Sequence, residues 1–171
     1  MDFVDAVCTR LCRTLSREEA QDLLAGTQLL AAGPGEILRK EGDAADGLYF
    51  LFEGKVVVER DRVDGNRMRL AELEAPTLLG ELSLVVGGSV TATVRALTDC
   101  RLRILARTDF EHRLATNDLV AYKLLAAVAE VLARRVLRLN DTLVDLSGRA
   151  AAPPQDDLAR FRSKLFSEWS F

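Results

Sequence analysis

The stretch Leu78-Leu79-Gly80-Glu81-Leu82-Ser83-Leu84, followed at short range by Val90-Thr91-Ala92-Thr93-Val94, decides how the rest of the chain is read. A glycine that opens a one-turn helix after a strand leaves the first backbone N–H groups pointing outward, and such a nest suits a phosphate. The neighbouring carboxylate, Glu81, is of the type that accepts hydrogen bonds from a ribose hydroxyl. Taken alone, Gly-Glu-Leu is a common tripeptide and equally describes a surface turn. Its meaning comes from what surrounds it.

On both sides, from about residue 30 to 106, short β-type runs alternate with glycine-bearing turns: Gly33-Pro34-Gly35, Glu41-Gly42-Asp43, Asp46-Gly47, Glu53-Gly54, Asp64-Gly65-Asn66 and Gly87-Gly88. The runs include residues 47–52, 55–59, 91–95 and 101–105, rich in β-branched and aromatic side chains with partial alternation. Strands this short at this spacing predict an antiparallel barrel or roll.

The order Gly35 to Ile37, Gly42, Tyr49-Phe50-Leu51-Phe52-Glu53-Gly54-Lys55-Val56-Val57-Val58, Gly80 to Leu84, then Ala92-Thr93-Val94-Arg95-Ala96 resembles the cyclic nucleotide-binding domain family over about residues 15 to 147. Within that family it looks most like the sensor half of bacterial catabolite-activator-type regulators. The resemblance implies an α+β fold, an antiparallel eight-stranded β-roll of double-stranded jelly-roll type, flanked by N-terminal helices and a long C-terminal dimerisation helix. It also implies a phosphate-binding cassette with amides at Gly80, Leu82 and Ser83, with Glu81 on the ribose 2′-hydroxyl of cAMP or cGMP, and with Thr91 and Ala92 beside the phosphate. Ten residues after the glycine the family usually places an arginine that pairs with the cyclic phosphate, and this chain has Val90. Losing such a charge-assisted contact removes roughly 1.5 to 3 kcal/mol, about ten- to hundredfold in affinity. Arg95, Arg101 and Arg103 are the nearby cations, and strand alternation puts Arg101 and Arg103 on one face without saying which face lines the pocket. A further departure is Ala75-Pro76-Thr77, where the family has a glycine shortly before the cassette.

The flanks read as helices. Phe3, Val4, Val7, Leu11 and Leu15, then Leu23 and Leu24, have helical spacing, and Ser16-Arg17-Glu18-Glu19 is a capping-box pattern. Asn117 or Asp118 caps a long helix over 118–147, with Gly148 as its stop. Leu125, Leu132, Leu139 and Leu146 recur every seven residues, and Ala129, Val136 and Leu143 fall four after the first three. This heptad predicts a homodimer through Leu125, Leu132, Val136, Leu139, Leu143 and Leu146. A second stripe, Val120, Leu124, Val128 and Val131, is available to pack on the chain's own roll. In the activator-type relatives the same helix offers hydroxyl side chains to the purine, and the matching positions here are about Leu139 and Asn140, which makes Asn140 a candidate ligand contact able to present both donor and acceptor to a base edge; a polar residue at a coil margin fits it equally. Residues 148–157, with Pro153 and Pro154, read as a linker, and 158–171 as a short amphipathic helix carrying Leu158, Phe161, Leu165, Phe166 and Trp169 on one face. That tail is expected to dock on the roll, on a dimer mate or on a partner protein.

The chain has 171 residues, 23 Lys and Arg against 26 Asp and Glu, a net charge of −3, three cysteines without a Cys-x-x-Cys and one histidine, His112. These numbers argue against a basic nucleic-acid surface, a metal centre and most histidine-based catalysis. Cys8 and Cys12, at i,i+4 spacing, read as small buried residues. No apolar run is long enough for a membrane span, so a cytoplasmic protein is expected. About 24 residues follow Ser147, too few for the helix-turn-helix module of the activator-type relatives, so DNA binding is not expected. The function expected is therefore a non-enzymatic regulatory module, with no cofactor beyond a cyclic nucleotide ligand, acting through an unidentified protein partner. The alternative is a ligand-independent adaptor that keeps only the fold.

Overall fold

The structure, a computed structural model, describes residues 2–61 and 65–149, the last five of these by backbone only. The tail and most of the linker lie outside the described residues.

The chain opens with α1 (Phe3–Ala6), begun by the Asp2 carboxylate accepting from the Val4 amide, and it continues as a π turn over Val7–Leu11. α2 (Arg17–Ala25) carries the expected capping box. The Ser16 hydroxyl accepts from the Glu19 amide at 3.2 Å, and the Glu19 carboxylate accepts from the Ser16 amide at 2.8 Å.

Among the described residues eight strands follow, in two four-stranded antiparallel sheets. One has the order β1 (Gln28–Ala32), β8 (Cys100–Ala106), β3 (Gly47–Glu53), β6 (Thr77–Leu79). The other has the order β2 (Ile37–Arg39), β7 (Thr93–Ala96), β4 (Lys55–Asp61), β5 (Arg67–Glu74). The four runs read from sequence are β3, β4, β7 and β8, except that Thr91 and Ala92 precede β7. β3 explains why its sequence is a continuous apolar run. Tyr49 and Leu51 join a core that draws on both sheets, with Val56, Val94 and Leu102, while Leu48, Phe50 and Phe52 face the helices. A strand buried on both faces has no polar face to alternate with.

After β8 come α4 (Arg107–Ala115) and α5 (Leu119–Arg149). Asp118 is the residue that opens α5, its carboxylate accepting from the Val120 amide at 2.8 Å. Val120, Leu124 and Val128 are buried with Leu23, Phe110 and the outer face of β3, so the second stripe takes the role expected of it. Lys123 binds the Glu19 carboxylate at 2.6 and 2.8 Å, tying α5 to α2. Gly148 does not stop the helix, which continues to Arg149; an interior glycine costs a helix only about 1 kcal/mol, and termination needs more than that. The chain divides into two compact units, residues 1–132 and 133–171. No helix among the described residues is long and apolar enough to cross a membrane.

Candidate functional site

The cassette begins where β6 ends. Gly80 has φ +81° and ψ 8°, the left-handed region, and it caps α3 (Glu81–Val86). A β-carbon there would lie 1.9 Å from Nη1 of Arg39 and 2.8 Å from the Gly47 carbonyl oxygen, so both the backbone and the space demand glycine. α3 packs against β3, with Glu81 (4% exposed), Ser83 and Leu84 inward and Leu82, Val85 and Val86 outward. The Ser83 carbonyl accepts from the Gly87 amide at 3.0 Å and from Nη1 of Arg107 at 3.2 Å, which joins the end of α3 to the start of α4.

The return segment is held by the 42–45 loop. The Val90 amide donates to the Asp43 carbonyl at 2.8 Å, the Gly42 amide to the Val90 carbonyl at 2.9 Å, and the Ala45 amide to the Gly88 carbonyl at 3.2 Å. Val90 is buried, at 5% exposure, Thr91 is exposed and Ala92 half-buried. The arginines considered from sequence are engaged elsewhere. Arg95 donates to the Gly35 carbonyl and pairs with Glu59, Arg101 pairs with Glu53 and lies over the Phe3 ring, and Arg103 donates twice to Thr27.

The cation at the cassette is Arg39, which lies between the turn glycines Gly35 and Gly42 and carries no motif that marks it in the sequence. It is the only buried Lys or Arg among the described residues, its side chain 3% exposed. The pairing shifts between Ile37, opposite Arg95, and Arg39, opposite Val94, so a bulge separates them. Ile37 is exposed while Arg39 turns inward, the re-aiming that a bulge produces. The guanidinium lies over the Tyr49 ring, 5.0 Å from its centroid, and 3.4 Å from a carboxylate oxygen of Asp46. The other Asp46 oxygen accepts from the Tyr49 hydroxyl at 2.5 Å. Burial first, and then this hydrogen bond to a carboxylate, push the Tyr49 phenol well above its ordinary value. Because the Arg39 backbone registers with Val94 and its Nη1 reaches Gly80, this one residue links the two halves of the cassette.

Asn140 is exposed on α5, within the second compact unit. Among the heptad residues, Leu125 and Leu132 are half-buried and pack against the core of their own chain, whereas Val136, Leu139 (63% exposed) and Leu143 are exposed. The Leu146 side chain is outside the described residues.

Two antiparallel four-stranded sheets, interrupted between β6 and β7 by a helix that a left-handed glycine opens, define a β-roll domain of jelly-roll type. The chain belongs to the cyclic nucleotide-binding domain family, which matches residues 30–117. It is similar to the cyclic AMP receptor protein of Thermus thermophilus, 34% identical over 132 residues, 77% of this chain and 59% of that one. The solved N-terminal domain of a transcriptional regulator from Streptomyces coelicolor shares 37% identity at a TM-score of 0.65, covering 83% of this chain and 95% of that one. A regulatory subunit of a cAMP-independent protein kinase A from Trypanosoma brucei, solved as a triple mutant bound to cAMP in the A site, shares 25% identity at a TM-score of 0.62 over 78% of this chain and 44% of that one. The chain spans about half the length of the curated bacterial regulators that it matches.

Proposed function

We propose that this chain is a non-enzymatic sensor whose cassette takes a cyclic nucleotide, cAMP or cGMP, and which acts as a homodimer on a protein partner. The observation that carries the reading is the cassette: a glycine that tolerates no β-carbon, opening a helix whose Glu81 and Ser83 are drawn inside the roll. The similarity to a cyclic AMP receptor protein supports the ligand class. Within the roll, the Arg107 contact to the Ser83 carbonyl offers a route from cassette to α4, and a change at α3 would bias the helices that follow. The exposed Val136, Leu139 and Leu143 support dimerisation through α5, since an apolar stripe is stabilised by a partner helix. Isothermal titration of the purified protein with cAMP and cGMP tests the ligand: micromolar binding of either supports the sensor, and none up to millimolar refutes it.

A ligand-independent adaptor is the second reading, favoured by one observation, the buried apolar Val90 where the family usually has an arginine. The Trypanosoma brucei protein, cAMP-independent by its description, is a precedent for this fold serving without cAMP. The same titration separates the two.

A further inference from the structure

We propose that Arg39 is the residue that binds the anionic group of the ligand, a phosphate presenting two adjacent free oxygens, so that the cassette works without an arginine at position 90. The proposal rests on the cyclic-nucleotide reading above and adds to it the residue that holds the charge.

Burying a guanidinium is costly unless charge and hydrogen bonds compensate it, and Arg stays protonated under all ordinary conditions. Arg39 is compensated only in part. Its ion-pair partner among the described residues, Asp46, is 3.4 Å from Nη2, too long for a strong hydrogen bond, and is itself 55% exposed and shared with the Tyr49 hydroxyl. Nε and Nη2 have no hydrogen-bond partner among the described residues. Those two nitrogens form the side-on edge of the guanidinium, whose parallel N–H groups match the spacing of two oxygens on one phosphate or carboxylate. The edge is held in place on its other sides, by the Tyr49 ring against the guanidinium plane and by Gly80 against Nη1. The fork lies on the side of the guanidinium opposite Nη1, where Asp46 stands, and there it leaves an unmet demand for a two-oxygen anion, on the side chain that packs against the glycine opening the cassette. A ribose cyclic phosphodiester carries two such oxygens next to the 2′-hydroxyl that the family resemblance assigns to Glu81.

The test uses the full chain with Arg39→Met, which keeps length without charge, and Arg39→Lys, which keeps charge without the fork. Titration with cAMP and cGMP should show a loss of tenfold or more for Arg39→Met and a several-fold loss for Arg39→Lys, with adenosine, which lacks the phosphate, bound equally by all three. Adding Val90→Arg to Arg39→Met should restore much of the loss. Unchanged cyclic-nucleotide affinity in a folded Arg39→Met, or an equal loss for adenosine, overturns the proposal while leaving the sensor reading intact. If Arg39→Met does not fold by circular dichroism, Arg39→Lys carries the test, and wild-type affinity there overturns it. If the wild type binds no cyclic nucleotide, the sensor reading has failed and inorganic phosphate becomes the probe. A rise in melting temperature at matched ionic strength, absent from the Arg39 variants, then upholds the anion site, and no Arg39-dependent rise overturns it.

Discussion

Gly80→Ala is the substitution whose cost the geometry specifies most closely. Two terms contribute. A residue with a β-carbon held at φ +81° pays about 1 to 2 kcal/mol for the left-handed conformation. The new methyl would also stand 1.9 Å from Arg39 Nη1 and 2.8 Å from the Gly47 carbonyl, so a buried guanidinium has to move by roughly 1.5 Å to reach ordinary contact, and overpacking of this kind costs about 1 to 3 kcal/mol. The sum, about 2 to 5 kcal/mol, corresponds to a fall in melting temperature of roughly 4 to 20 °C for a chain of this length. Gly88 supplies the control. It has φ +86° with nothing within 4 Å of an added β-carbon, so Gly88→Ala should cost only the conformational term, about 1 to 2 kcal/mol. Thermal or urea unfolding of both variants isolates the steric part as their difference. Repeating the pair in an Arg39→Met background removes the Nη1 contact and leaves the Gly47 oxygen, so the difference should shrink. Equal destabilisation by Gly80→Ala and Gly88→Ala in the native background, or a difference that Arg39→Met leaves unchanged, would refute the placement of Arg39 against the cassette glycine.

Val90→Arg should raise cAMP or cGMP affinity about tenfold, with the larger gain in the Arg39→Met background, because a phosphate held by one cation gains less from a second. Calorimetry showing no gain in either background means that the pocket has diverged beyond this position. Leu139→Glu with Leu143→Glu should turn a dimer into a monomer at about tens of micromolar, a range suited to an association near −6 kcal/mol; Leu132 is left intact because it packs on its own core, and light scattering that finds the wild type already monomeric sinks the dimer. The Glu19 carboxyl is held below its ordinary value by the Lys123 ammonium first and then by the Ser16 amide. Its contribution is therefore present above the unfolded carboxyl's titration and disappears as acid takes the pH down through the lowered folded value. Glu19→Gln should flatten that part of the stability profile, and an acid-unfolding curve identical to wild type counts against it.

How much of this was legible in the sequence follows from what each signal depends on. Glycine spacing survives in the fold because a left-handed turn excludes other residues wherever it occurs, and the doubly buried β3 announces itself by composition. β5 is harder: an edge strand with Arg67, Met68, Arg69 and Leu70 all exposed has no buried face to write a period. The heptad was legible as a period but not as a partner, since the same spacing serves the chain's own core at Leu125 and Leu132 and stays exposed at Leu139 and Leu143. Arg39 was hidden for a sharper reason. In Ile37-Leu38-Arg39, strict alternation places the arginine on the same face as Ile37, and a charged residue in a three-residue strand reads as a solvated one. The bulge separates the two, sending Ile37 to solvent and Arg39 beneath Gly80. Register decides that, and register is set by pairing with β7, some fifty residues further along the chain. The cation missing at position 90 is thus supplied from the strand paired with β7, whereas the arginines of the strands after the cassette, Arg95, Arg101 and Arg103, are engaged elsewhere.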